Sequence, residues 1–179
     1  MAKWNINANH SSVAFEVRHM MVSWVHGLFT KVTGILDFDP LEVEQAAVEV
    51  EIDARSIYTG LEQRDRHLKS EDFLEAEKYP AIAFKSNRVE LAGLDHAYVH
   101  GGLTIRGVTR PVVLDAHWAG PSLFDDDGKI YTSFGFRAAT VINREDFGMI
   151  FNMEMEHGGF MIGKQVHLTL NAEVDLLEE

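Results

Sequence analysis

Apolar and polar residues alternate with a period of two along most of this chain, and no other feature limits its possible folds so strongly. In "SSVAFEVRH" (11–19), Val13, Phe15, Val17 and His19 fall on one side of an extended backbone, with Glu16 and Arg18 on the other. "VEVEID" (48–53) sets Val48, Val50 and Ile52 against Glu49, Glu51 and Asp53. "VHLTLNAEV" (166–174) repeats the pattern with Val166, Leu168, Leu170, Ala172 and Val174, and in "SFGFRAATVI" (133–142) Phe134, Phe136 and Ala138 share a side. Weaker strands are read around residues 4–6, 32–38, 81–91, 97–106 and 112–118, which predicts eight or nine strands.

One stretch has a helical period instead. "GLEQRDRHLKSEDFL" (60–74) places Leu61, Leu68 and Phe73 amid polar residues, Ser70 and Asp72 can cap a second short turn, and Pro80 closes the region. Arg64, Asp65, Arg66 and His67 read as neighbours on the helix surface, with Arg64 and Asp65 tying the helix to the sheet. No linker, repeat or low-complexity tract divides residues 1–179, so one domain is expected. Strands with one polar face each must bury the other, in a sandwich or in a closed barrel that removes exposed edges. A barrel of about eight strands is either just filled by side chains or holds one small ligand. Alternation leaves both open.

Composition narrows the functions. The net charge of −12 works against nucleic acid and anionic membrane surfaces, and no Lys/Arg run offsets it. With no Cys there is no disulfide, no thiolate chemistry and no Cys-ligated metal. The longest markedly apolar run, "MMVSWV" (20–25), is far shorter than the roughly 20 residues of a membrane helix. The N-terminal "MAKWNINANHSS" lacks a signal-peptide core, so the expected location is the cytoplasm, or the periplasm if a leader has been removed.

The motifs "HSSVAFEVRHM" (10–20), "RDRHLKSEDFL" (64–74), "YPAIAFKS" (79–86), "GGLTIRGVTRPVVL" (101–114), "NREDFGM" (143–149) and "GGFMIGKQVHL" (158–168) occur in this order. Together they resemble the YceI-like family of lipocalin-like, polyisoprenoid-binding proteins, from residue 4 to about residue 174. The resemblance implies a mainly β fold: a closed, extended antiparallel eight-stranded barrel with one or two short helices. It further implies a long apolar tunnel for an isoprenoid or similar amphiphilic lipid, often in a homodimer; no catalysis and no cofactor are expected.

Several residues could serve such a ligand. Phe15, Trp24, Phe29, Phe73, Phe84 and Phe136 are placed toward an interior, where each is either core or tunnel wall. Apart from Met1, the methionines cluster as Met20–Met21 and as Met149, Met153, Met155 and Met161, the latter beside Phe147, Phe151 and Phe160. Flexible, polarisable Met suits either an adaptable wall or core filler, and Met20, Phe151 and Met155 are taken as ligand contacts. His19, on an apolar strand face, is either a hydrogen-bonded core residue or a head-group contact. In "GGLTIRGVTRP" (101–111), Gly107 and Pro111 mark a strand connection, Leu103 and Ile105 point inward, and Arg106 and Arg110 are turn residues. Arg106 is also a candidate for an anionic head group. "NREDFG" (143–148) offers Arg144 and Asp146 as a turn-stabilising set. No catalytic constellation is visible. The nine histidines include no "HExxH", and His96 and His100 are not expected to share a site. A metal-dependent hydrolase using histidines gathered by the fold is the alternative reading.

Overall fold

The structure is a computed structural model and describes residues 1–177. It has eleven strands: β1 (Lys3–Ile6), β2 (Ser12–His19), β3 (Ser23–Phe29), β4 (Val32–Asp37), β5 (Ala47–Asp53), β6 (Ile57–Tyr58), β7 (Ala81–Leu91), β8 (His96–Ile105), β9 (Val108–Asp126), β10 (Lys129–Asn143) and β11 (Ile162–Leu176). Among the described residues a single α-helix, α1 (Glu62–Lys69), sits between β6 and β7.

These eleven segments make eight barrel staves. β1 and β2 both pair antiparallel with β11, through Trp4↔Leu176 and Val17↔Val166, so they are one stave broken by the 3-10 turn Ala8–His10. β3 and β4 form a second stave, interrupted at residues 30–31, because β3 pairs β2 while β4 pairs β1. β5 and β6 form a third across the turn Ala54–Ser56, pairing β4 and β3 respectively. The remaining strands follow as neighbours, and β11 returns to β1 and β2. The barrel is closed and antiparallel, which pairs edges that would otherwise invite association.

The run at 101–111 forms the hairpin between β8 and β9. Arg106 and Gly107 both have positive φ (51° and 71°), the geometry of a two-residue turn whose twist matches its strands. Leu103 and Ile105 are buried on the inner face. Pro111 lies opposite Gly102, in the stretch of β9 where β10 pairing has already ended at Asp115, so its missing N–H breaks no ladder.

The alternation of β3 runs against the expected inward placement of Trp24. Val25, Gly27 and Phe29 face inward, so Trp24 faces outward, 40% exposed against His167 and Arg18. Trp24 and Phe29 are an odd number of residues apart and cannot share a strand face. This corrects the inward placement of Trp24.

One end of the barrel is closed by aromatics. Phe38 meets Trp118, Phe134 and Phe136 edge-on at 5.1–5.6 Å, and Trp4 meets Phe134 at 5.0 Å. The Trp4 indole N–H donates to the Phe38 carbonyl (2.9 Å), satisfying its one polar group inside the plug.

Candidate ligand-binding site

Successive inward residues of most staves serve two chambers stacked along the barrel axis. β5 gives Val48 and Val50 to one and Ile52 to the other; β11 gives Leu170, Ala172 and Val174 to one and Val166 and Leu168 to the other. The smaller, against the aromatic plug, holds about 80 Å³ and has an entirely apolar lining. The larger holds about 350 Å³, and its walls include Phe15, Phe29, Ile52, Leu103, Ile105 and Leu168. The interior thus holds two apolar cavities along the barrel.

Two glycines keep these chambers hollow. A Cβ on Gly27 would lie 2.2 Å from Cζ of Phe15, so the bare backbone of β3 gives that ring a seat against the wall. Gly101 does the same for Phe84, whose Cζ would be 2.6 Å from an added Cβ. Each aromatic side chain is thus parked beside the lumen instead of across it.

The larger chamber is roofed by two segments outside the barrel strands. Leu68, Phe73 and Leu74 come from α1 and the turn after it; Met149, Phe151, Met153 and Met161 come from the connection between β10 and β11. The two segments meet in a three-ring cluster. His67 lies edge-on to Phe73 (5.0 Å) and Phe151 (4.9 Å), and Phe73 contacts Phe151 at 5.5 Å. His67 Nε2 also pairs with Asp72 Oδ2 at 2.7 Å, which fixes the ring.

Each roof segment is tied down by a charged residue. The Asp65 carboxylate, buried, accepts from the Thr59 N–H (2.8 Å) and hydroxyl (2.6 Å), while Arg64 donates to the Thr59 hydroxyl and carbonyl. This is the tie expected of that pair. Arg144 is only 3% exposed and donates to the carbonyls of Gly163 (2.8 Å), Phe151 (2.9 Å), Ile162 (3.4 Å) and Met149. Its role as a turn stabiliser extends to clamping the whole β10–β11 connection. Burial pushes its guanidinium below the ordinary value, with Glu145 acting in the opposite direction.

Arg18, His19, Arg64, His67 and Arg144 all border the larger chamber, so its polar lining is basic in a chain of net charge −12. The His19 side chain makes no hydrogen bond to a described residue, which sets aside its reading as a hydrogen-bonded core histidine. Of the other candidates, Phe15, Phe29, Phe73 and Phe151 line the larger chamber, and Phe84 and Phe136 the smaller.

Four residues lie elsewhere. Trp24 is outside the barrel. Met20 is exposed in the β2–β3 turn with φ of 51°. Met155 belongs to a tight turn closed by the Gly158 N–H to its carbonyl, and Met153 and Met161 take the wall instead. Arg106 is held by the Gly148 carbonyl (3.0 Å) and the Glu75 carboxylate (3.2 Å) and does not line either chamber. Arg18, read as a polar-face residue, and Leu68, read as a helix position, also border the larger chamber, because neither strand parity nor helical spacing marks a rim. Among the described residues, one group has the spacing of metal ligands: His96, Asp115 and His117, on the outer surface.

Fold and cavity together define a closed antiparallel barrel with an internal apolar ligand chamber. Residues 4–174 match the YceI-like domain, and the chain belongs to that family. A UPF0312 protein of Staphylococcus epidermidis is 34% identical over 176 residues, covering 98% of this chain and 99% of the relative. Among solved structures, BcnA of Burkholderia cenocepacia superposes with a TM-score of 0.80 at 21% identity, covering 94% of this chain and 98% of that one. A polyisoprenoid binding domain from Saccharophagus degradans, implicated in plant cell wall breakdown, superposes with a TM-score of 0.69 at 13% identity over 99% and 100% of the two chains.

Proposed function

We propose that this protein binds and sequesters or carries a long-chain amphiphilic lipid, a polyisoprenoid, isoprenoid quinone or fatty-acid-like molecule, without transforming it. The apolar chamber of about 350 Å³ with a basic rim carries this reading, and it lies within the roughly 300–1,000 Å³ typical of small-molecule sites. The chain occupies the chamber, and the head group faces Arg18, His19 and Arg64. The polyisoprenoid-binding neighbour and the YceI-like family support lipid binding in general.

Magnitudes favour long chains. Ten buried methylene-sized groups contribute about 8 kcal/mol, comparable with the roughly 4–15 kcal/mol that association costs. Short ligands therefore bind weakly, and each further buried unit adds almost entirely to affinity. The test is native mass spectrometry of the purified protein, followed by titration with prenyl alcohols, quinones and fatty acids. A co-purifying lipid, or saturable uptake that strengthens with chain length, is expected. No lipid recovered and no uptake of any of the three would overturn the proposal.

The protein acts as a homodimer in this reading. Its support is the ribbon of residues 123–132, which project Leu123, Phe124 and Ile130 into solvent and pair only with each other among the described residues. Light scattering showing a monomer at micromolar concentration would remove that part alone. A cytoplasmic site of action is part of the proposal too, checked by cell fractionation.

A further inference from the structure

We propose that His96, Asp115 and His117 form a binding site for a divalent transition metal on the outer face of the barrel, at its plugged end. The hairpin register builds it. The Ile105↔Val108 pair closes a two-residue turn and is hydrogen-bonded, so every second pair back along β8 and β9 is hydrogen-bonded as well. The Trp118 N–H donating to the Asp95 carbonyl (3.1 Å) keeps that parity to the end of the ladder. His96↔His117 and Tyr98↔Asp115 are therefore the intervening, non-hydrogen-bonded pairs, in which side chains stand closest. Asp115 and His117, two apart on β9, share the outer face. Three potential ligands from two adjacent strands thus converge on one patch.

The donor atoms converge as well. His96 Nε2 lies 2.8 Å and His117 Nε2 3.4 Å from the same Asp115 oxygen, Oδ1, and the three lie within 4.8 Å of one another. Metal–ligand bonds of about 2.1 Å in a tetrahedral site place donors about 3.4 Å apart, a spacing these atoms approach, and the two parallel rings must turn for both lone pairs to reach one ion. The rings are stacked, with centroids 4.3 Å apart and planes 4° apart, and Tyr98 supports His96 edge-on at 5.0 Å. The His96 side chain is only 22% exposed, so one ligand is already positioned. Two imidazoles and one carboxylate select zinc, nickel or copper(II) over magnesium or calcium. Three protein ligands leave a coordination position open to solvent. The chain's net charge of −12 favours a cation at this surface.

Isothermal titration of the tag-free full chain with zinc chloride, and separately nickel chloride, tests this site. One ion per chain is expected. H96Q, H117Q and D115N should each weaken binding more than roughly tenfold, the least that loss of even an outer-shell partner costs. H26Q, on a different part of the outer surface, should leave it unchanged. Histidine-ring NMR signals of the unsubstituted protein provide a readout that needs no variant: zinc should shift two of the nine histidines, those lost in H96Q and H117Q. An unmodified protein that binds neither ion, binding that survives H117Q, or equal loss in H26Q would overturn the proposal.

Discussion

Phe15 and Gly27 show how a hollow barrel is kept hollow at the level of single residues. Phe15 is an apolar ring on an inward position, where packing alone would turn it across the lumen. Gly27 on the neighbouring stave removes the atom that would block its seat. Gly27→Ala therefore drives the ring into the chamber. Overpacking of this kind costs about 1–3 kcal/mol. The expected outcome is a lower urea midpoint together with weaker uptake of a fluorescent acyl or prenyl probe. Adding Phe15→Ala to Gly27→Ala should restore uptake, which a general loss of stability would not do.

At the level of elements, the mouth depends on two segments that are not part of the barrel wall. The α1 region is tied by Asp65 and Arg64 to Thr59, and the β10–β11 connection by Arg144 to four carbonyls. They touch through His67, Phe73 and Phe151. That contact is a small edge-on cluster between separately fastened pieces, so it can open without unfolding either one. Removing one ring with Phe151→Ala should raise ligand dissociation rates by about tenfold, since aromatic pairs of this kind contribute roughly 0.5–1.5 kcal/mol each. Stopped-flow displacement of a bound probe measures the change. An unchanged dissociation rate would show that ligands leave by another path.

For the whole molecule, the decisive feature is that the interior holds two stacked apolar cavities. The aromatic plug closes one end, the small chamber lies against it, and the larger chamber lies under the roof. Phe84 is buried and lines the small chamber, resting on Gly101. Phe84→Ala enlarges that chamber toward its neighbour and should shift the preferred ligand to longer chains. A cost of about 3–5 kcal/mol in stability is expected for a buried Phe. A series of prenyl alcohols of increasing length, compared by native mass spectrometry, reads the preference, and a melting curve reads the stability. An unaltered length optimum would place the ligand wholly within the larger chamber.

The sequence by itself determined the inward and outward faces of the strands, while alternation left a sandwich or a closed barrel open. Period-two alternation is a local property of each strand, and it reported the inward faces of β2, β5, β10 and β11 because a strand has only two sides. The motif order reported the family for the same reason, being written along the chain. Tertiary structure decided what no local period encodes. Whether Phe15 fills the lumen depends on a glycine in another stave, and whether Met153 or Met155 reaches the wall depends on how an irregular connection folds. His96 and His117 are 21 positions apart in the numbering but directly opposite in the ladder, so only strand pairing could bring them together. Cavities and ligand clusters are relations between segments, fixed by register and closure.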